Sequence, residues 1–389
     1  MTSQLAIFNS MGVAVASDTV ATVTSGNHAR KTISNARKIL LLGDEHQVVV
    51  LHSGNVYQND VNCDLLVSEW KRTLGERLST VADYASHFTR WLASNQDLIA
   101  ESSEGRLVES VLHDHYGFIR HAVLADGQVG DPQAALLKHA RAGLEYLSGL
   151  PLFEGADDDM DATLIGGLET PHEDLINLYF GEFGLPPEVV AILRDSAALV
   201  LSRAQEMPGD STLAFVGFGA DEYFAQSVRL DLRGRYGRVP RVIVGQSFGY
   251  EIGGGGRLSQ FAQSDAIMGF LTGAHAFLVN SLREFSAEWM VERLELEATG
   301  AFVEEFRQGF EEHFRSTAWE HFVDPMLSTI ENLPLSGVAE LAEALVGMQA
   351  TRSASMDGPA TVGGIIESLV ISRAHGIQWV HQLPTAVRN

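Results

Sequence analysis

Thr2 stands directly behind the initiator Met1, and so small a second residue predicts that the methionine is removed. The processed chain would then begin with a hydroxyl and a free α-amine on one residue, the nucleophile and base of a minimal catalytic pair. An amine titrating near ~8 takes up the hydroxyl proton around neutral pH. The elements that follow must bring other groups to this terminus. Leu5 to Phe8, the turn Asn9-Ser10-Met11-Gly12 and Val13 to Asp18 read as a β-hairpin, which folds Asp18 back beside the chain start. After a polar loop from Thr19 to Asn35, the run from Arg37 to Leu42 reads as a strand with Lys38 at its opening. Gly43-Asp44-Glu45-His46 is a turn, and Gln47 to His52 is a further strand ending in Ser53-Gly54-Asn55.

This segment resembles the β subunits of proteasomes and their bacterial relatives, a branch of the N-terminal nucleophile (Ntn) hydrolases. Those proteins share a leading Thr, an apolar strand, Gly-Val-x-x-Ala-x-Asp (here Gly12 to Asp18), a Lys opening the next strand and a Gly closing the strand after it. The resemblance implies that Thr2 is the nucleophile and that Asp18 pairs with Lys38. The lysine charge would lower the pKa values of the amine and hydroxyl. The N–H of Gly54 would serve the oxyanion. The spacing from Thr2 to Asp18 fits without a gap. The loop from Asp18 to Lys38 is longer than usual in that family, and Lys31 competes for the lysine role, although Lys38 alone opens an apolar strand.

The resemblance resumes from Thr361 to Ile371 and from Ala374 to Val380, as a Gly-Gly strand, a tight turn and a closing strand with an aromatic residue. In proteasome subunits a Ser precedes the Gly pair and an Asp lies three residues before that Ser. Here those places hold Val362 and Pro359, with Asp357 two residues further back. Asp357 is therefore either an accessory acid or part of an Asp-Gly-Pro structural turn. Ser264 matches a serine that the family carries near the leading Thr, and is equally placed, with Asp265, to cap the helix that follows.

The rest of the chain sets the architecture. Residues 62–206 read as mostly helix: Asp64 to Leu78, Val81 to Asn95, Glu104 to Leu124, Gln133 to Leu147 and Pro187 to Met207 carry apolar residues at three- and four-residue spacing. Strands return at Thr212 to Gly219, Ser227 to Leu232 and Arg241 to Gly245. Helices follow over about residues 265–285, 286–317, 318–333 and 336–349. The fold implied by the resemblance is α+β, a four-layer αββα Ntn-hydrolase sandwich of two antiparallel sheets. Residues 1–61 and 207–389 would form its core, with residues 62–206 partly inserted into it.

Composition narrows the partners. A net charge of −23 excludes a nucleic-acid surface, whose phosphates need basic groups. One cysteine, Cys63, leaves no intramolecular disulfide and suits a reducing cytoplasm. No apolar run approaches the roughly 20 residues that span a bilayer, and no secretory signal precedes the first strand; cytoplasmic residence without membrane contact is the expectation. Other constellations read as structural. His113, His115 and His121 diverge around a helix and do not form a metal set. Asp157 to Asp161 lacks the Gly and Glu of a calcium loop at Ala162 and Leu168, and Gly253 to Arg257 lacks the ending of a phosphate loop.

The resemblance implies a threonine-type peptidase or amidohydrolase that needs no metal or organic cofactor, acts on a peptide or amide, and forms a homo-oligomer such as a ring, with the helices after residue 265 as contacts. Whether an unfoldase partner feeds it stays open. Two other readings remain: an inactive proteasome-like assembly or binding protein, and a small-molecule amidase or acylase whose helical insertion builds a private pocket.

Overall fold

The structure is a computed structural model describing residues 2–25, 29–95, 98–127, 131–157, 160, 164–165, 172–207, 210–293, 300–358 and 360–384. With 50% helix and 22% strand, and every described strand pair antiparallel, the chain is of the α+β class. In chain order the strands are β1 (Gln4–Asn9), β2 (Gly12–Ser17), β3 (Ala21–Ser25), β4 (Ala29–Ile33), β5 (Ile39–Leu41), β6 (Val48–Gly54), β7 (Tyr57–Gln58) and β8 (Val61–Asn62). They continue with β9 (Ser211–Gly217), β10 (Gln226–Tyr236), β11 (Val239–Val244), β12 (Phe248–Gly249), β13 (Arg257–Gln260), β14 (Glu367–Ser372) and β15 (Gly376–His381). Of the two larger sheets, the first has the order β13-β1-β2-β14-β15 and the second β11-β10-β9-β6-β5, with β12 beside β10; β3–β4 and β7–β8 are two-stranded.

Side-chain alternation decides what each sheet covers. Ala6, Phe8, Val13, Val15, Leu369 and Ile371 of the first sheet meet Val49, Leu51, Ala214 and Val216 of the second in one buried cluster. On the other face of the first sheet, Leu5, Ile7, Ala14 and Ala16 pack on Ile267, Ile330, Val338, Ala342 and Leu345. Those residues belong to the helices Asp265–Thr272, Asp324–Asn332 and Leu335–Ser355. On the other face of the second sheet, Val48, Val50, Leu213 and Phe215 pack on Leu66, Trp70, Tyr84 and Phe88 of the helices Cys63–Lys71 and Val81–Ser94. Burial on both faces explains why Leu5 to Phe8 and Val48 to Leu51 are continuous apolar runs rather than alternating ones.

The β1–β2 hairpin has the expected form, in register from Gln4 with Ser17 to Asn9 with Gly12. Gly12 is required there because a Cβ would stand 2.2 Å from the Ile371 carbonyl oxygen. The region read as helical divides by packing. Its first two helices belong to the second sheet's core, whereas the helices Glu101–Gly127, Pro132–Ser148, His172–Phe180 and Pro187–Ser202 share a separate core through Leu112, Tyr116, Leu136, Phe180 and Leu193.

Three expectations need correction. The polar loop from Thr19 to Asn35 contains the antiparallel pair β3–β4, because its β-branched Thr, Val and Ile residues favour extended backbone although the stretch as a whole is polar. The helix expected over 265–285 stops at Thr272, where Gly273 takes a left-handed φ of 74° as its C-cap; a new helix, Ala276–Arg293, follows. The helix expected over 318–333 is interrupted by a π turn, Trp319–Val323. Among the described residues no helix is long and apolar enough to cross a membrane.

Candidate active site

The open ends of β1, β2, β5 and β6 meet around the start of the chain. β2 delivers Asp18 one residue beyond its end, where the Asp18 N–H donates to the Ser3 carbonyl at 3.1 Å. The side chain then turns back: Oδ1 accepts the Ser3 N–H at 3.0 Å and Lys38 Nζ at 2.6 Å. Oδ2 accepts the N–H groups of Val20 at 3.2 Å and Gly363 at 3.0 Å. Asp18 is fully buried and Lys38 is 5% exposed, so this is a buried ion pair whose carboxylate has four donors. Burial without such partners would be prohibitive.

Lys38 enters just ahead of β5, and its backbone carbonyl takes the His52 N–H at 3.0 Å, which ties it to β6. Nζ also donates to the Val20 carbonyl at 2.6 Å. An ammonium has three hydrogens. The third has no partner among the described residues. Burial pushes the Lys38 ammonium below the ordinary lysine range, and Asp18 pulls it the other way. Lys31 lies on β4, opposite Val23 in the separate β3–β4 pair. It is therefore Lys38 that the structure brings to Asp18.

Thr2 is 8% exposed, and its peptide link to Ser3 is held at both ends. The Ser3 N–H goes to Asp18, and the Thr2 carbonyl accepts from the Gln263 N–H at 2.8 Å. The Asp18 oxygen that binds Lys38 therefore also binds the Thr2–Ser3 peptide. Carrying the β1 alternation back by two residues puts Thr2 on the side of Gln4. That is the side facing the second sheet, since Gln4 Nε2 donates to the carbonyls of Lys38 and His52 at 3.4 and 3.0 Å. Ser3 falls on the opposite side.

Gly54 ends β6 with φ 84°, exposed, and paired with Ser211. A Cβ there would stand 2.4 Å from the Asp210 carbonyl oxygen, which restricts the position to glycine. Its neighbour Ser53 donates from Oγ to the Phe261 carbonyl at 3.0 Å, two residues before the Gln263 that holds Thr2. One short segment thus ties the end of β6 to the start of β1.

Ser264 follows Gln263 directly and occupies the N-cap position of the helix Asp265–Thr272, but its side chain makes no capping bond. Instead Gln349 Oε1, from the helix Leu335–Ser355, accepts the Ala266 N–H at 2.8 Å. Among the described residues the Ser264 hydroxyl has no hydrogen-bond partner, and its residue adjoins the Gln263 that holds Thr2. Asp357 is exposed and, among the described residues, makes no hydrogen bond or ion pair to this cluster. The turn it precedes is held by Ser353, whose Oγ accepts the N–H groups of Thr361 and Val362 at 2.9 and 3.2 Å. Pro359 lies outside the described residues.

The sequence reading missed the main-chain donors of Ser3, Val20 and Gly363, and the roles of Gln349 and Ser353. No local pattern marks a backbone N–H as a ligand. Other candidates take structural partners. His113 meets the Tyr179 hydroxyl at 2.8 Å, His115 meets Ser196 Oγ at 3.0 Å, and Asp114 pairs with Arg233. Among the described residues no group of three or more His, Cys, Asp or Glu could hold a metal. Asp158, Asp159 and Asp161 of the acidic run lie outside the described residues, as do Ala162 and Leu168. Cys63 is buried, and burial pushes its thiol up to about 12, so it is no nucleophile. Comparison of the sequence with known protein families and with curated proteins finds no match in either.

Proposed function

We propose that this chain is an Ntn hydrolase of proteasome-like type, with Thr2 as the nucleophile on a peptide or amide bond. The observation that carries the reading is the buried Lys38–Asp18 pair, one oxygen of which also holds the Thr2–Ser3 peptide. The ammonium form of Lys38, with one donor unpartnered among the described residues, stands beside the chain start, where its charge favours the neutral amine and the developing alkoxide. Once Met1 is removed, Thr2 Oγ attacks the carbonyl carbon and its proton passes to the α-amine, directly or through water. The N–H at Gly54 stabilises the oxyanion. Collapse breaks the C–N bond, the leaving amine takes the proton from the Thr2 α-amine, and water activated by that freed α-amine hydrolyses the ester on Thr2.

The packing of helices, two sheets and helices supports the four-layer αββα sandwich. The separate core of the helices between Glu101 and Ser202 supports their reading as an inserted unit. Homo-oligomer formation is supported by the helix Ala276–Arg293, where Leu278, Leu282, Phe285 and Trp289 are each about half exposed or more. Their four-three-four spacing is that of a helix-packing seam, and Ala287 on the other side is buried. A second reading, an inactive scaffold, is favoured by one observation: Asp357 stands exposed and Val362 is buried where a catalytic relative would carry a hydroxyl.

Intact-protein mass with and without an epoxyketone or β-lactone probe, on the natural chain and on Thr2→Ala, separates the readings. A chain lacking Met1 that gains one probe only when Thr2 is present is the expected result. Retention of Met1 with no adduct would overturn the catalytic reading.

A further inference from the structure

A groove of about 1110 Å³ runs along the outer edge of β13, walled on its far side by the helices Asp265–Thr272, Ala276–Arg293 and Gly300–Ala318 and the turn after them. β13 is the edge strand of the first sheet. Its hydrogen-bond parity is fixed by its continuation: the Phe261 N–H donates to Gln4 and the Gln263 N–H to Thr2. In an antiparallel ladder, residues 257 and 259 therefore also face β1, while Leu258 and Gln260 aim their N–H and C=O groups outward. The outward series begins at Gly256, whose N–H is taken by the Leu327 carbonyl at 3.0 Å. Leu258 and Gln260 come next, line the groove, and have no main-chain partner outside β13 among the described residues.

We propose that this groove binds an extended peptide, which adds to β13 as a sixth strand of the first sheet. Two peptide units repeating at about 7 Å match the main chain of another strand. The opposite wall presents Met268, Leu271, Trp319 and Met326, so the ligand carries apolar side chains at alternate positions. The added strand would lie two strand spacings, about 10 Å, from β1, with one end beside the Thr2 end of β1. This inference does not depend on Thr2 being a nucleophile.

The test is fluorescence anisotropy of a fluorescein-labelled nonapeptide alternating leucine and serine, titrated with the full chain. Two further probes carry N-methyl groups on one or the other alternate set of amides. The expected result is saturable binding that weakens at least about tenfold with one methylated probe and is kept by the other, a loss of roughly 1.4 kcal/mol. Val279→Trp, which fills the groove wall, should weaken the parent probe to a similar degree; the methylated probes keep the test decisive if that variant folds poorly. Equal binding of all three probes, or no binding at about 1 mM chain, would overturn the proposal. So would a chain dimer that Val279→Trp dissociates while the peptide fails to bind, which would give the groove to a second copy.

Discussion

Removing Lys38 should damage the protein less than altering Asp18, and the hydrogen bonds around the carboxylate say by how much. In Lys38→Met the Asp18 carboxylate keeps the N–H groups of Ser3, Val20 and Gly363, at 3.0, 3.2 and 3.0 Å. Breaking a buried ion pair costs about 3–5 kcal/mol, and three surviving donors place this variant near the lower end, about 3 kcal/mol. Asp18→Asn keeps an acceptor on one side only. Its amide hydrogens must then confront either Ser3 and Lys38 or Val20 and Gly363. Two buried donors lose their acceptor, each at about 1–3 kcal/mol, and Lys38 stays buried and charged without its counter-ion, for a total of about 5 kcal/mol or more. Urea unfolding followed by tryptophan fluorescence should therefore rank the natural chain above Lys38→Met and Lys38→Met above Asp18→Asn. In folded samples both variants should label with the electrophilic probe at least about 100-fold more slowly. A lower urea midpoint for Lys38→Met than for Asp18→Asn would show that the backbone donors do not hold the carboxylate, and the account of the site would fail.

Gly54→Ala should cost about 2–4 kcal/mol, from a left-handed φ and a Cβ forced against the Asp210 carbonyl. Gly75→Ala, where a Cβ meets nothing within 4 Å, is the control in the same thermal melt, and equal midpoints would refute the constraint. Burial holds the His115 ring at about 4, below the ordinary histidine value of 6.5. The unfolded chain thus binds this proton first as pH falls, and stability present above 6.5 is lost toward 4, about 2 kcal/mol of it between pH 7 and 5. His115→Gln, which can still meet Ser196, should remove that part of the loss from paired urea titrations; an unchanged difference between the two pH values would count against it. Leu282→Glu with Phe285→Glu should lower the particle mass by light scattering if the seam on the helix Ala276–Arg293 joins copies, and an unaltered mass would remove the seam from the assembly.

The parts of this molecule that were legible in its sequence are those whose cause is local. Leu5 to Phe8, Gly12 and Val13 to Asp18 specify a hairpin through apolar runs and a turn, and the hairpin alone carries Asp18 to within a bond of Ser3. The choice between Lys38 and Lys31 is local only in part, through the apolar strand that Lys38 opens. It also depends on β5 joining β6, while Lys31 is drawn into a β-strand pair whose polar residues hide it. The N-cap of the helix Asp265–Thr272 is Ser264, as its type and place suggest, but the capping bond is not local: buried Gln349, 83 positions along the chain, accepts the Ala266 N–H.

The turn before β14 shows how a site can keep its geometry while its residues change. Asp18 needs an N–H on Oδ2, and Gly363 supplies it from 345 positions away. For that N–H to point correctly, the preceding turn must be rigid. Ser353 fixes it from below by accepting two consecutive N–H groups, Thr361 and Val362. Thr19 fixes it from the other side, its Oγ1 donating to the Ile365 carbonyl at 2.7 Å and its N–H to the Gly363 carbonyl at 3.1 Å. The demand is for a clamped backbone. An acid at residue 357 is not needed to meet it, so the exposure of Asp357 counts against an accessory proton carrier but leaves the Asp18–Lys38 centre intact. It follows that Ser353→Ala, which leaves the Thr361 and Val362 N–H groups without an acceptor at about 1–3 kcal/mol each, should impair probe labelling of Thr2 more than Asp357→Asn does. Equal labelling rates in the two variants would mean that the turn does not transmit its rigidity to Asp18.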